Sequence, residues 1–179
     1  MKKKILIIFV MFNFFTNAHP TYKELAYNFK FPSIDGGQIN LANYKEKVLI
    51  VVNVASRCGF TNQYEDLQKI WDKYGKKNVV VIGVPTNNFK QEPGSNKEIK
   101  KFCETNFNIN FPMTQKIDVI GKNAHPFFKW AEKNFGRSAV PKWNFHKIII
   151  DKNGKIAETF SSITRPSSKK FIKTIENLI

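Results

Sequence analysis

Cys58 is the residue best placed to do chemistry. It follows the apolar run "KVLIVVNVAS" (47–56) and precedes a stretch with helical spacing, so it falls where a buried strand hands over to a helix N-terminus. Ligand sites in open α/β sheets gather at that edge. The free N–H groups and partial positive charge of a helix N-terminus favour a thiolate there, and Arg57 adds a neighbouring cation. Redox proteins with a cysteine at such a junction often carry a second in a Cys-x-x-Cys motif; here Thr61 holds that position. A buried structural cysteine is the plainer alternative, and the adjacent Gly59 and the polar flanks count against it.

A low thiol pKa alone would not make a fast catalyst. A free thiol of pKa about 8.5 is roughly 3% thiolate at neutral pH. Lowering that pKa to about 6 raises the thiolate fraction about thirtyfold, while intrinsic nucleophilicity falls about tenfold. Donors placed to stabilise charge on the leaving group must supply the rest. Asn87 and Asn88 in "VPTNNF" (84–89), and Trp143 and Asn144 in "PKWNFHK" (141–147), are candidates at the same sheet edge. Asn pairs are also common turn residues, and a Trp at a strand start is also common core, so the residues alone leave both readings open. Cys103 is the second of two cysteines; in an exported chain such a pair is ordinarily a structural disulfide. His19, His125 and His146 show no ligand spacing with the cysteines, so no metal or other cofactor is expected.

The elements that must position these residues can be read from hydrophobic period. "FPSIDGGQINL" reads as a hairpin through Asp-Gly-Gly. The runs 47–56 and 78–85 are near-continuous Val/Ile stretches, predicting strands buried on both faces. Between them Leu67, Ile70, Trp71 and Tyr74 predict a helix, with Thr61 as N-cap and Gly75 at its close. Ser95 and Glu98 have capping-box spacing, opening a helix with Ile99, Phe102 and Cys103 on one face. A helix is expected over 123–135. "WNFHKIIID" and "KIAETFS" then form a hairpin across Lys152-Asn153-Gly154, and "RPSSKKFIKTIENLI" closes the chain as an amphipathic helix. A parallel βαβ unit followed by an antiparallel hairpin and a helix predicts an α/β protein of thioredoxin-like fold. Its mixed central sheet is flanked by helices, with a β-hairpin at its N-terminal end.

The 179 residues suffice for one domain with a real core, and 42% hydrophobic content excludes a disordered chain. Residues 1–18 read as a secretory signal: "MKKK", an apolar stretch too short to span a bilayer comfortably, then Thr16 and Ala18 at the −3 and −1 positions of a cleavage site. The single domain is then 19–179, exported to a periplasm or secreted, with no stable membrane span after cleavage; an uncleaved N-terminal anchor is the alternative. The formal net charge of +15 is spread without basic blocks or interleaved aromatics, which argues against a nucleic-acid partner.

In order and spacing, "NVASRCGFTNQY", "GVPTNNFKQEPGS", "EIKKFC", "FPMTQKIDV", "AHPFFKW" and "KWNFHKIIIDKNGK" resemble the glutathione peroxidase family, from about Phe29 to Pro166. The resemblance implies a thioredoxin fold and reduction of hydrogen peroxide or organic hydroperoxides by a thiol. By position, Cys58 would be the peroxidatic residue, Trp143 and Asn144 its hydrogen-bond donors, and Cys103 the resolving thiol of a cysteine-type member. Anchored on Phe89, the family's active-site Gln falls at Asn88. Thr86 stands where many members carry a further Cys. The short connection "GRSAVPK" lacks the assembly insertion of tetrameric members, which implies a monomer. With only Arg57, Arg137 and Arg165, no arginine cluster for glutathione is visible, so a thioredoxin-like dithiol protein is the expected reductant ahead of glutathione. Two other readings compete: a thioredoxin-like disulfide oxidoreductase, against which Thr61 argues, and a non-catalytic module stapled by a permanent Cys58–Cys103 disulfide.

Overall fold

The computed structural model describes residues 22–179; the secretory-signal reading of residues 1–18, and His19, lie outside them. A four-stranded sheet runs in the order β4-β3-β5-β6. Its centre is β3 (Val48–Val54), parallel to β4 (Val79–Pro85) and antiparallel to β5 (Lys147–Ile150). β6 (Ile156–Phe160) closes the sheet, and β1 (Lys30–Pro32) with β2 (Gln38–Asn40) forms the separate N-terminal hairpin.

Every residue of β3 and β4 is buried because helices or loops cover both faces. The period of two divides them cleanly. Leu49, Val51, Val80, Ile82 and Val84 point to the side covered by α3 (Pro126–Phe135) and the hairpin. Val48, Ile50, Val52, Val79 and Val81 point to the side covered by α1 (Gln63–Tyr74), α2 (Asn96–Phe107) and α4 (Lys169–Leu178). Each fully buried aliphatic side chain contributes about 1.5–3 kcal/mol, which makes this sheet a stiff base for the loops at its edge.

Several boundaries differ from the sequence reading. α1 starts at Gln63, and Asn62 at its N-cap makes no side-chain cap bond; the Thr61 hydroxyl is used by the Cys58 turn instead. Gly75 stays right-handed (φ −57°) and leads into a tight helical turn, Gly75–Lys77. Asn78 takes the left-handed conformation (φ 65°) that Asn tolerates. α3 begins only at Pro126, because proline disfavours helical backbone at the residue before it; His125 Nδ1 accepts from Phe127 N–H as cap. The capping box forms as spaced: Ser95 Oγ accepts from Glu98 N–H, and the Glu98 carboxylate accepts from Ser95 N–H at 2.7 Å.

Candidate active site

The chain leaves β3 at Val54 and folds at once into a tight turn carrying Cys58. Thr61 ties this turn to itself: its hydroxyl donates to the Cys58 carbonyl (2.7 Å) and accepts from Cys58 N–H (3.1 Å). Successive i+3 bonds, Thr61 N–H to Cys58 O and Gln63 N–H to Phe60 O, carry the turn into α1. The Phe60 N–H is thereby left to point at the sulfur, Phe60 N to Cys58 Sγ 3.4 Å, a backbone donor suited to stabilising a thiolate. Cys58 is half-buried and its thiol is free.

The flank of the turn is pinned to the segment after β4. Arg57 N–H donates to the Gln91 carbonyl (3.0 Å). Ser56 donates to the buried Glu92 carboxylate through both its N–H (2.8 Å) and its hydroxyl (2.9 Å). Burial pushes the Glu92 carboxyl up, and the Ser56 donors partly offset this.

Gln91 is the link to the third segment. Its Oε1 accepts from Asn144 Nδ2 at 2.9 Å, which leaves the Gln91 amide N–H groups free to donate elsewhere. Asn144 is fully buried, and Trp143 beside it is 41% exposed with its ring against Phe89 (5.5 Å between centroids). These two residues were expected on a strand. They lie in the loop before it, because Phe145 adopts left-handed backbone (φ 63°) and β5 starts only at Lys147. A buried Phe in that region costs on the order of 1–3 kcal/mol. Asn53 of β3 holds it there. Its carbonyl accepts from Phe145 N–H (2.6 Å), its N–H donates to the His146 carbonyl (3.3 Å), and its Nδ2 donates to the Trp143 carbonyl (3.1 Å).

The structure places Asn88 against the 118–120 loop. Its Nδ2 donates to Asp118 (2.8 Å), and its Oδ1 accepts from Val119 N–H (2.7 Å), Ile120 N–H (3.3 Å) and the Thr86 hydroxyl (3.0 Å). Asn88 staples the 118–120 loop, with its Oδ1 and one Nδ2 hydrogen committed there. Gln91 meets Asn144 instead. Lys90, in left-handed backbone (φ 58°), closes a turn with its N–H on the Asn87 carbonyl (2.9 Å), and this brings Gln91 round to the site. Asn53, inside an apolar run, carried no signal beyond its polarity.

Cys103 is 1% exposed, on α2 beside Ile99. Its thiol is also free. Burial pushes it up to about 11; a weaker interaction with Tyr64 lowers it, and Glu92 and Glu104 add small upward contributions. The Tyr64 hydroxyl is enclosed and makes no hydrogen bond of good geometry, so its interaction with the thiol is loose. Burial first, then Cys103 and more weakly Glu92 and Cys58, push that phenol well up. Four buried side-chain atoms lack a partner among the described residues: Asn53 Oδ1, Tyr64 OH, Asn144 Oδ1 and His146 Nε2.

Comparison with known proteins gives the geometry its family. A model of the family described as "Glutathione peroxidase" matches residues 26–132. The chain belongs to the glutathione peroxidase family. Among its relatives, the hydroperoxy fatty acid reductase gpx1 of Synechocystis sp. is 41% identical over 149 residues, covering 78% of this chain and 88% of the relative. The glutathione peroxidase-like peroxiredoxin 2 of Saccharomyces cerevisiae is 44% identical over 138 residues, covering 74% and 85%. Of the solved structures, apo Trgpx superposes with a TM-score of 0.66 at 33% identity, covering 86% of this chain and 97% of that one. A thiol:disulfide interchange protein of the thioredoxin family from Chlorobium tepidum, 15% identical with a TM-score of 0.64, shows the shared fold. The mixed sheet flanked by helices in this glutathione peroxidase family member is the thioredoxin-like fold expected from its sequence.

Proposed function

We propose that this protein reduces hydrogen peroxide and organic hydroperoxides, fatty-acid hydroperoxides among them, with Cys58 as the attacking thiolate and Cys103 as the resolving thiol. The hydrogen bond from Asn144 to Gln91 carries the reading: it gathers a carboxamide donor, the Trp143 indole and the Cys58 turn at one sheet edge. The Cys58 thiolate attacks the distal peroxide oxygen and the O–O bond breaks. The departing alkoxide takes up a proton and leaves as an alcohol or water, and Cys58 becomes a sulfenic acid. The free donors of Gln91 and Trp143 stabilise the negative charge moving onto the departing oxygen, the contribution that thiolate formation alone does not supply.

Cys103 then displaces water from the sulfenic acid to give a disulfide. Its burial and raised pKa require α2 to open before that step. A dithiol protein reopens the disulfide by exchange, becoming oxidised itself. Such a reductant accords with the second thiol, with the absence of an arginine cluster, and with yeast relatives named as peroxiredoxins. The protein acts as a monomer, exported by residues 1–18. Reacting the reduced protein with one equivalent of hydroperoxide and weighing the products tests the reading. A Cys58–Cys103 disulfide is expected, and Cys58→Ser should abolish peroxide consumption. Oxidation no faster than that of a free thiol would overturn it.

A further inference from the structure

Lys147 is a buried lysine that the chemistry above does not use. It opens β5 two residues before Ile149, so its side chain points to the sheet face covered by α1, α2 and α4, where it is 0% exposed. Among the described residues no carboxylate pairs with it. The nearby Asp66 carboxylate is taken by Arg165 Nε and the Ser167 hydroxyl, each at 2.9 Å. Lys147 Nζ donates instead to three neutral oxygens: Gln63 Oε1 (2.5 Å), the Thr164 carbonyl (2.7 Å) and the Ser161 carbonyl (3.5 Å). Burial pushes the amine down to about 7; Asp66 raises it and Arg165 lowers it, both by less. An apolar side chain of similar length would avoid this desolvation cost. What the ammonium supplies is three hydrogens for three acceptors on two segments, α1 and the loop after β6.

Gln63 is the acceptor that reaches the site. It is the first residue of α1 and is 1% exposed. Its side chain is held at both ends, because Oε1 takes the Lys147 ammonium and Nε2 donates to the Ser162 carbonyl (2.7 Å). Its backbone closes the Cys58 turn: Gln63 N–H donates to the Phe60 carbonyl (2.9 Å), and Phe60 N–H points at Cys58 Sγ. A continuous chain of contacts therefore runs from Lys147 through Gln63 and Phe60 to Cys58. At its other end Lys147 belongs to β5, and the loop before that strand carries Trp143 and Asn144. One side chain thus ties the turn of the thiolate to the segment that bears its donors. We propose that Lys147 is a positioning residue: through Gln63 it fixes the start of α1, so that the Phe60 N–H stays on the Cys58 sulfur. This rests on the reading of Cys58 as the attacking thiolate and deepens it.

The test uses the Cys103→Ser protein, in which Cys58 is the one thiol. Its alkylation by iodoacetamide is timed at pH 6, where Lys147 holds its proton. Alkylation follows the thiolate and needs no peroxide. Lys147→Met should slow it about tenfold, the effect of losing one hydrogen bond to a charged group. Gln63→Leu leaves the ammonium in place and removes its acceptor. It should slow alkylation as much, and the double variant no further, because both changes cut one path. A purely structural role would loosen the turn and leave alkylation unchanged or faster; that result in Lys147→Met overturns the inference. So does an unchanged rate in Gln63→Leu, which would mean that the charge acts without the contact. Slowing of about a hundredfold in the double variant also overturns it, because two independent paths would then exist. Should Lys147→Met fail to fold, Gln63→Leu decides alone by the same criterion. Peroxide consumption by the wild type is read separately: its absence would sink the peroxidase reading and leave the alkylation rates to decide the role of Lys147.

Discussion

The surroundings of the two cysteines are opposites. Cys58 sits half-buried in a turn tied by Thr61, with a backbone N–H on its sulfur and its flank pinned to Gln91 and Glu92. Cys103 sits in a helix packed on the core, 1% exposed, its thiol pushed up to about 11. The first environment is assembled before any substrate arrives. The second keeps its thiol packed in the core. A thiol peroxidase gains from both: the attacking sulfur needs fixed donors, while a resolving sulfur that stays hidden leaves time for the peroxide to react first.

The largest expected effect breaks the preassembled side. Gln91→Leu should slow Cys58 oxidation by about 10²–10³-fold, the usual effect of losing one donor at a site of developing charge. Asn88→Ala should leave that rate nearly unchanged and lower stability by about 1 kcal/mol through loss of the 118–120 staple. Stopped-flow peroxide kinetics and urea unfolding of both variants check the contrast; the reverse pattern would return the catalytic amide to Asn88.

A smaller effect sharpens the withheld side. A thiol whose pKa is raised by folding binds its proton more tightly in the native state, so its contribution to stability falls as pH rises above the unfolded value. With Cys103 moved from 9.0 to about 11, the reduced wild type should lose about 1 kcal/mol by pH 10 relative to pH 8. Cys103→Ala should lack that loss. Urea midpoints at the two pH values measure the difference, and equal slopes would mean that the thiol is not held in an apolar site.

How much of this was legible beforehand depended on whether local chemistry decided the outcome. β3 and β4 were readable because burial on both faces leaves unbroken Val/Ile runs, and the Ser95–Glu98 box because its spacing is its mechanism. Cys58 announced itself by its junction. The meeting of Gln91 with Asn144 was hidden because the left-handed turn at Lys90 sets the path of that loop, which spacing alone does not show. Trp143 and Asn144 read as the start of a strand but lie in the loop before it, because the backbone reversal at Phe145 is held by Asn53, distant in sequence. Thr61 looked like a cap, yet its hydroxyl bonds back to Cys58, an outcome set by the path of the turn.

The difference between the two cysteines is tested most directly by mixing the reduced protein with one equivalent of hydroperoxide in a stopped-flow instrument. Intrinsic fluorescence is followed while acid-quenched samples are weighed. The account predicts a fast phase that leaves a sulfenic acid on Cys58, and a slower phase that forms the Cys58–Cys103 disulfide and disappears in Cys103→Ser. A single phase in which the disulfide appears as fast as peroxide is lost would contradict it, because Cys103 would then already be in reach.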